Sequence, residues 1–438
     1  MNQEFLKYLE ETLTKKEYEL MLEEYQKKPV RSIRLNKITY DTFHKNLNMP
    51  LEPIKYDPEG YYLNDEEKYG THPYHHLGAF YFQEPSAMGP VNMYQFKGDE
   101  TVLDLCAAPG GKSTQILSRI PKGILYSNDP SKKRSQILFS NIERLGYQNC
   151  VVLNETPSRL ASTFPGFFDV ILVDAPCSGE GMMRKDEEAM AQWTRELPLA
   201  CAKMDYEILK SADKMLKENG ILIYSTCTFS KEEDEDIVSF LVNELDYEVL
   251  PANPLLKEFT KEASIKETLK FYPFTGKGEG QYMALLRKKR AEVSRVRYDK
   301  SKQSDELKIV IKFMKDNLKE IPKGDIKKIG NRYYLTVSNI DMSKLNVNTN
   351  GVELGEVIKG RFEPYHHFYK ALGKYFKNIL KFDVNDPRVL KYLVGEEIEA
   401  PLPNGYGVIE TDGLYLGGFK ATNGHLKNHY PKGLRNLK

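Results

Sequence analysis

The feature that most constrains this chain is a series of short, wholly apolar segments separated by helical periods. TVLDLCA, GILYSND, CVVLN, DVILVDAP and GILIYSTC carry no polar alternation, while SKKRSQILFSNIERLG and the stretch near Ala200–Glu218 repeat with helical spacing. Strands of this kind belong in a parallel sheet buried on both faces. The pattern predicts a doubly wound, Rossmann-like α/β domain from about Phe80 to Arg287, with its ligand site beyond the carboxyl ends of the strands.

The 438 residues leave room for further units on either side. The spacing of Phe5, Leu6, Leu9 and Leu13 predicts a helix, and RSIRLNKITY alternates like a strand. Beyond Arg287, DELKIVIKFMKDNLKEI is expected to be helical, NRYYLTVSNI and GVELGEVIKG to be strands, and FYKALGKYFKNIL to form another helix. GYGVIETDGLYLGGF predicts a hairpin around Asp412-Gly413 in a small terminal β-barrel.

Net charge is only +1, yet residues 1–300 hold 40 basic against 46 acidic side chains and residues 301–438 hold 23 against 16. The basic run from Arg287 to Lys302 and the acid-free last twenty residues, which include Phe419, His425, His429 and Tyr430, suit a polyanion whose bases can stack. No run of about 18 apolar residues exists and the N-terminus carries acids where a signal peptide is apolar, so a soluble cytoplasmic protein is expected. Five cysteines without a C-x-x-C pair fit neither a disulfide framework nor a zinc site. No metal is expected.

The sharpest local signal is LDLCAAPGGKST. Pro109-Gly110-Gly111 lets backbone amides approach an anion or carboxylate at the start of the next helix. A phosphate-binding loop of the G-x-x-x-x-G-K-[ST] type is not expected, because Cys106 stands where its first glycine belongs. Asp129 follows Gly110 by nineteen residues, near the spacing at which a carboxylate receives ribose hydroxyls. The two together suit an adenosine ligand with a carboxylate-bearing tail, and S-adenosylmethionine has that shape.

Two strands end in cysteine. DVILVDAPCSG closes with Asp174 and Cys177, and GILIYSTCTFS with Ser225, Thr226 and Cys227; if the strands are neighbours, an acid and two thiols share one crevice. That set answers a specific difficulty. Carbon 5 of cytosine is too weak a nucleophile to attack a methyl sulfonium until a thiolate adds at carbon 6, and an acid near ring nitrogen 3, the place for Asp174, must stabilise the developing charge. Thiolate formation needs a nearby cation, and Lys112 is the candidate. Ser230 and Glu233 read as an S-x-x-E capping box opening the helix KEEDEDIVSFLVNEL, which gives Glu232, Glu233 and Asp234 purely structural roles. Cys150 and Cys201 read as small buried hydrophobes.

CAAPGGK, DAPCSGEG and STCT, with FYFQEPSAM upstream and GEGQYMALLRK downstream, resemble the Sun-type RNA (cytosine-5) methyltransferases over residues 30–290. ELGEVIKGRFEPYHHF and LKNHYPKGLR resemble the extra module and PUA-like domain of the RsmF-like branch that modifies 16S, or small-subunit, ribosomal RNA. The resemblance implies that Cys227 is the nucleophile and that Cys177 assists product release. It also implies that Cys106, Ala107, Ala108, Pro109, Gly110, Gly111 and Lys112 cradle S-adenosylmethionine, that Asp129 holds its ribose, and that Asp174 lies between cofactor and base. Relatives often carry an Asp near the adenine; here the corresponding residues are Asn154-Glu155-Thr156, and Asn154 or Thr156 is expected to contact the ring. The organisation so implied is an N-terminal RNA-binding cap (1–75), the methyltransferase domain (76–290), a linker and α+β module (291–380) and a PUA-like module (381–438), acting as a monomer on ribosomal RNA or the small subunit. The competing readings are a transfer-RNA cytosine-5 methyltransferase and a non-catalytic RNA-binding assembly factor.

Overall fold

The computed structural model describes residues 2–37, 49–64, 68–185, 187–290, 293–300 and 304–435. The ends of three expected segments, residues 38–40, 301–302 and 436–438, lie outside this set, as do Ala291 and Glu292 within the basic run.

Two helices open the chain. Asn2 caps Gln3–Thr12, and a Thr14–Glu17 capping box opens Lys15–Tyr25. They precede a four-stranded antiparallel sheet, β1 (Ser32–Leu35), β2 (Leu51–Pro53), β3 (Gly60–Leu63) and β4 (Phe80–Phe82), in the order β2-β3-β1-β4. β4 lies beyond the expected boundary at residue 75. Arg34, fully buried in β1, donates to Gln83 and Thr114, so this small sheet grips the helix that follows the glycine loop.

The central sheet contains the parallel strands β5 (Thr101–Asp104), β6 (Ile124–Asn128), β7 (Cys150–Leu153), β8 (Phe168–Asp174) and β9 (Leu216–Thr226). β10 (Tyr247–Val249), β11 (Lys261–Glu262), β12 (Leu269–Phe271) and β13 (Gln281–Lys288) complete one edge, with β13 antiparallel to β9. The parallel strands lie in the order β9-β8-β5-β6-β7, so connections reverse direction at β5, and a crevice opens there. The apolar runs need no polar face because alternate residues enter different cores. Val102, Val170 and Leu172 pack in one cluster with Ile116 and Leu138; Leu103, Ile171 and Val173 pack in the other with Leu160 and Leu209. Burying each such side chain stabilises by about 1.5–3 kcal/mol.

The C-terminal part is built of β14 (Asp325–Ile329), β15 (Arg332–Thr336), β16 (Val347–Asn350), β17 (Val352–Ile358) and β18 (Arg361–Pro364). β19 (Asn378–Phe382), β20 (Ile398–Glu399), β21 (Gly405–Thr411), β22 (Leu414–Thr422) and β23 (His425–Asn428) follow. β21 and β22 form the expected hairpin, with Asp412 and Gly413 both at positive φ. One expectation fails: FYKALGKYFKNIL is not one helix. The helix ends at Leu372, Gly373 lies so close to the Tyr415 ring that a Cβ would clash, and Asn378–Phe382 leaves as a strand parallel to β21. β16 crosses domains, pairing antiparallel with β7 and extending the central sheet. No helix among the described residues is long and apolar enough to cross a membrane.

Candidate active site

The glycine loop departs from the carboxyl end of β5. Gly110 adopts φ +112°, and a Cβ there would meet Leu138 at 3.0 Å, so only glycine makes the turn into helix Gly111–Arg119. Arg134 donates to the Ala108 carbonyl at 2.8 Å and Asn141 to that of Pro109 at 3.0 Å, fixing the loop from outside. Ala107 and Ala108 are buried and Cys106 is half-buried. Beneath the loop, Asp104 accepts from Ser113 at 2.6 Å, and its other oxygen is buried with no partner among the described residues. Burial raises its carboxyl to about 7.

Asp129 ends the adjacent strand as a buried carboxylate, 3.4 Å from Arg134 and accepting from the Ser131 amide at 2.9 Å. Asn154 donates to the Asp129 carbonyl at 2.8 Å, so its amide already braces the neighbouring strand end. Thr156 is exposed, its hydroxyl 3.3 Å from that of Ser158. Asn128, which no sequence motif marks, ties three strand ends together through the Leu105 carbonyl, the Glu155 carbonyl and the Glu155 amide.

The second half of the site lies on β8 and β9. Their parallel register sets Asp174 beside Ser225, so the two cysteine turns leave side by side. The sulfurs of Cys177 and Cys227 are 3.2 Å apart, and the Cys227 amide donates to the Cys177 sulfur at 3.3 Å. Asp174 accepts from Lys112 at 2.8 Å, from Ser225 at 2.7 Å and from Gln281 at 3.3 Å, while its side chain keeps 31% exposure. Burial disfavours the Lys112 ammonium, but Asp174 outweighs it and the net shift is upward, so Lys112 stays charged. The Cys177 thiol is pushed well up, first by its contact with the Cys227 sulfur and then by burial, which keeps it protonated. Lys112, Asp174, Cys177 and Cys227 thus form one constellation; Asp129 and Asn154 form a second group at the ends of β6 and β7.

The capping box does not exist. The helix begins at Glu235 rather than at Lys231, and Asp234 gives it no side-chain cap. Glu233 instead turns inward and accepts from both the amide and the hydroxyl of Ser178, at 2.8 and 2.5 Å, and Ser178 Oγ lies 2.8 Å from Thr228 Oγ1. One carboxylate therefore holds the residues that follow both cysteines. Asp234 accepts from Thr226 at 2.6 Å and pairs with buried Lys270 at 3.0 Å. Glu180 receives the Phe229 amide and the Trp193 indole, each at 3.1 Å, and the Gly181 amide donates to the Cys227 carbonyl at 2.9 Å. The run of five consecutive acids, Glu232–Asp236, exceeds what one cap needs but does not single out Glu233.

Residues 91–287 match the family described as 16S rRNA methyltransferase RsmB/F. Residues 1–85 match the N-terminal domain of 16S rRNA methyltransferase RsmF, 312–372 its first C-terminal domain and 379–436 its PUA domain. A ribosomal RNA small subunit methyltransferase F of Shewanella oneidensis is 30% identical over 434 residues, covering 92% of this chain and 90% of that relative. Proteins of the same name from Aliivibrio salmonicida and Pectobacterium carotovorum are 35% and 36% identical, but the matches span only 60% and 56% of those relatives. Among solved structures, NSun6 from Pyrococcus horikoshii with SFG superposes with a TM-score of 0.59 at 21% identity, over 66% of this chain and 98% of that one. A methyltransferase homolog protein from the same organism gives 0.53 at 24% identity, over 66% of this chain and all of that one. These two likenesses establish the fold.

Proposed function

Because the chain belongs to the RsmB/F family of 16S rRNA methyltransferases, we propose that it methylates carbon 5 of a cytidine in small-subunit ribosomal RNA through a transient Cys227 adduct. The observation that carries this reading is the pair of sulfurs 3.2 Å apart on adjacent strand ends, beside Asp174 and Lys112.

The crevice fits S-adenosylmethionine. The loop Cys106–Lys112 offers backbone amides with no glycine side chain in the way, and Asp129 supplies a buried carboxylate for ribose hydroxyls. Asn154 borders the same group, and Thr156, two residues on, is exposed. The NSun6 structure from Pyrococcus horikoshii with SFG is in keeping with a ligand in this fold. The bound cofactor supplies an electrophilic methyl group.

Everything else falls to the protein. The Cys227 thiolate adds to carbon 6 of the flipped cytosine; the 5,6 electron pair shifts between carbons 4 and 5, and the pair between carbon 4 and nitrogen 3 moves onto that nitrogen. Lys112 stabilises the thiolate and provides a proton that Asp174 passes to ring nitrogen 3, which makes carbon 5 nucleophilic. Once carbon 5 carries the methyl group, its hydrogen leaves as a proton to solvent, and its electron pair stays between carbons 4 and 5. That pair then re-forms the 5,6 double bond, nitrogen 3 returns its proton through Asp174 to Lys112, and the carbon 6–sulfur pair leaves with Cys227, with Cys177 assisting release. A substrate on the ribosome places the protein in the cytoplasm.

The test is nucleoside mass spectrometry and position mapping of small-subunit RNA incubated with the enzyme and S-adenosylmethionine. The expected product is 5-methylcytidine, absent with Cys227→Ser. Methylation at another atom, or full activity of that variant, would contradict the proposal; methylation of transfer RNA but not ribosomal RNA would change the substrate and keep the chemistry.

A further inference from the structure

Gln281 opens β13, and the sheet puts its side chain in the crevice. Asp174 on β8, Ser225 on β9 and Met283 on β13 lie in register across three adjacent strands. Side chains two apart on a strand share a face, so Gln281 stands on the face that Asp174 and Ser225 occupy. Tyr282 pairs with Thr226, and the same register carried one step on sets Gln281 opposite Cys227. β9 separates β13 from β8 by about 10 Å at ordinary strand spacing, yet the Gln281 amide nitrogen reaches Asp174 Oδ1 at 3.3 Å. The side chain therefore crosses the end of β9 along the floor of the crevice. The backbone holds its root in place: the Gly280 amide donates to the Gly181 carbonyl and the Gly181 amide to the Cys227 carbonyl, each at 2.9 Å. A Cβ on Gly280 would lie 2.5 Å from both the Gly181 Cα and the Phe229 ring, so the approach needs glycine.

The hydrogen bonds at Asp174 leave this amide one task. Ser225 Oγ and Gln281 Nε2 donate to Oδ1 and Lys112 Nζ donates to Oδ2, which occupies three of the about four lone pairs a carboxylate offers. The remaining one serves ring nitrogen 3. The 4-amino group beside that nitrogen then needs an acceptor of its own. The Gln281 carbonyl oxygen accepts no hydrogen bond among the described residues and keeps access to solvent, although the residue is only 2% exposed. Asp174 also fixes which way the amide faces, since turning it over would set its oxygen against the carboxylate.

We propose that the Gln281 carbonyl accepts a hydrogen bond from the 4-amino group of the target cytosine and so selects it against uracil. Uracil carries a carbonyl at that position. Two oxygens would then face each other with no hydrogen between them, and turning the amide to suit uracil would break its bond to Asp174. The inference deepens the methyltransferase reading and rests on it for the identity of the target base.

The test compares two small-subunit RNAs that differ at one nucleotide, the cytidine identified by position mapping. One is natural; the other carries 2-pyrimidinone riboside there, which keeps nitrogen 3 and lacks the 4-amino group. Methyl transfer at that nucleotide is measured as kcat/KM with the full-length protein and with Gln281→Met, which fills the same space without an amide. The ratio of cytidine to pyrimidinone kcat/KM is expected to be about tenfold lower in Gln281→Met than in wild type. Comparing ratios cancels the intrinsic reactivity of the two rings and the folded fraction of each preparation. Gln281→Asn, whose amide falls one methylene short, gives the same comparison should Gln281→Met not fold. A ratio equal to that of wild type, with 5-methylcytidine formed, would overturn the role and leave the methyltransferase reading standing, Gln281 then acting only through Asp174. No 5-methylcytidine from wild type and natural RNA would sink that reading, and this inference with it.

Discussion

At the residue scale the site depends on a carboxylate that touches no expected substrate atom. Glu233 holds Ser178, and through it Thr228, so it sets where both cysteines leave their strands. Displacing a reacting atom by an ångström can cost about a hundredfold in rate. Glu233→Ala should therefore lower kcat by about two orders of magnitude while S-adenosylmethionine affinity, measured by calorimetry, stays near wild type, and Glu233→Gln should recover part of the loss. An unaltered kcat in Glu233→Ala would remove the clamp from the mechanism. Burial raises this carboxyl from 4.5 to about 7, so the folded chain binds its proton more tightly than the unfolded chain. Its contribution to stability is then fully present below the ordinary carboxylate value and is lost as pH rises to about 7. Tm between pH 5 and 7 should fall less steeply in Glu233→Gln than in wild type; an equal or steeper fall would show the group is not strained by burial. Asp174 and the cysteine pair were legible in the sequence because each ends an apolar strand among small, turn-forming residues. Glu233 was not, since S-x-x-E reads the same whether the acid caps a helix or turns away from it.

At the element scale the parallel core was readable from its apolar runs and the terminal hairpin from Asp412-Gly413. β16 was not. Its sequence, VNTN, has no strand signature of its own, and its partner lies nearly two hundred residues earlier, so only the folded chain reveals the pairing. The segment before it enters the central core: Ile340 and Met342 are buried with Tyr126 and Ile171, and the Tyr126 hydroxyl donates to Ser338 at 2.6 Å. Asn346 and Asn154 are linked backbone to backbone at 3.0 Å, which ties the C-terminal part to the expected adenine side of the crevice. Ile340→Ala should cost about 2–5 kcal/mol in denaturant unfolding. A loss below half a kcal/mol, or a separate early transition for the C-terminal part, would show that the segment merely rests on the sheet.

At the scale of the whole molecule, the charge asymmetry along the chain now has a framework. The basic terminal residues Lys420 and Lys427 are exposed on the last sheet, far in sequence from the cysteines. Removing everything after Arg290 is a poor test of their role, because it would also strip β16 from the sheet edge and Ile340 from the core. Lys420→Glu with Lys427→Glu is cleaner. Binding of small-subunit RNA should weaken, and its salt slope should drop by about 1.5; an unchanged slope would assign the tail to solubility alone. The proposed methyl transfer stands on the bond between Cys227 and the pyrimidine ring. Incubating Cys177→Ser with RNA and S-adenosylmethionine, then mapping the cross-linked peptide by mass spectrometry, tests it directly. The expected result is an RNA adduct that survives denaturation and resides on Cys227; 5-methylcytidine formed with no adduct, or an adduct on any other residue, would contradict that bond.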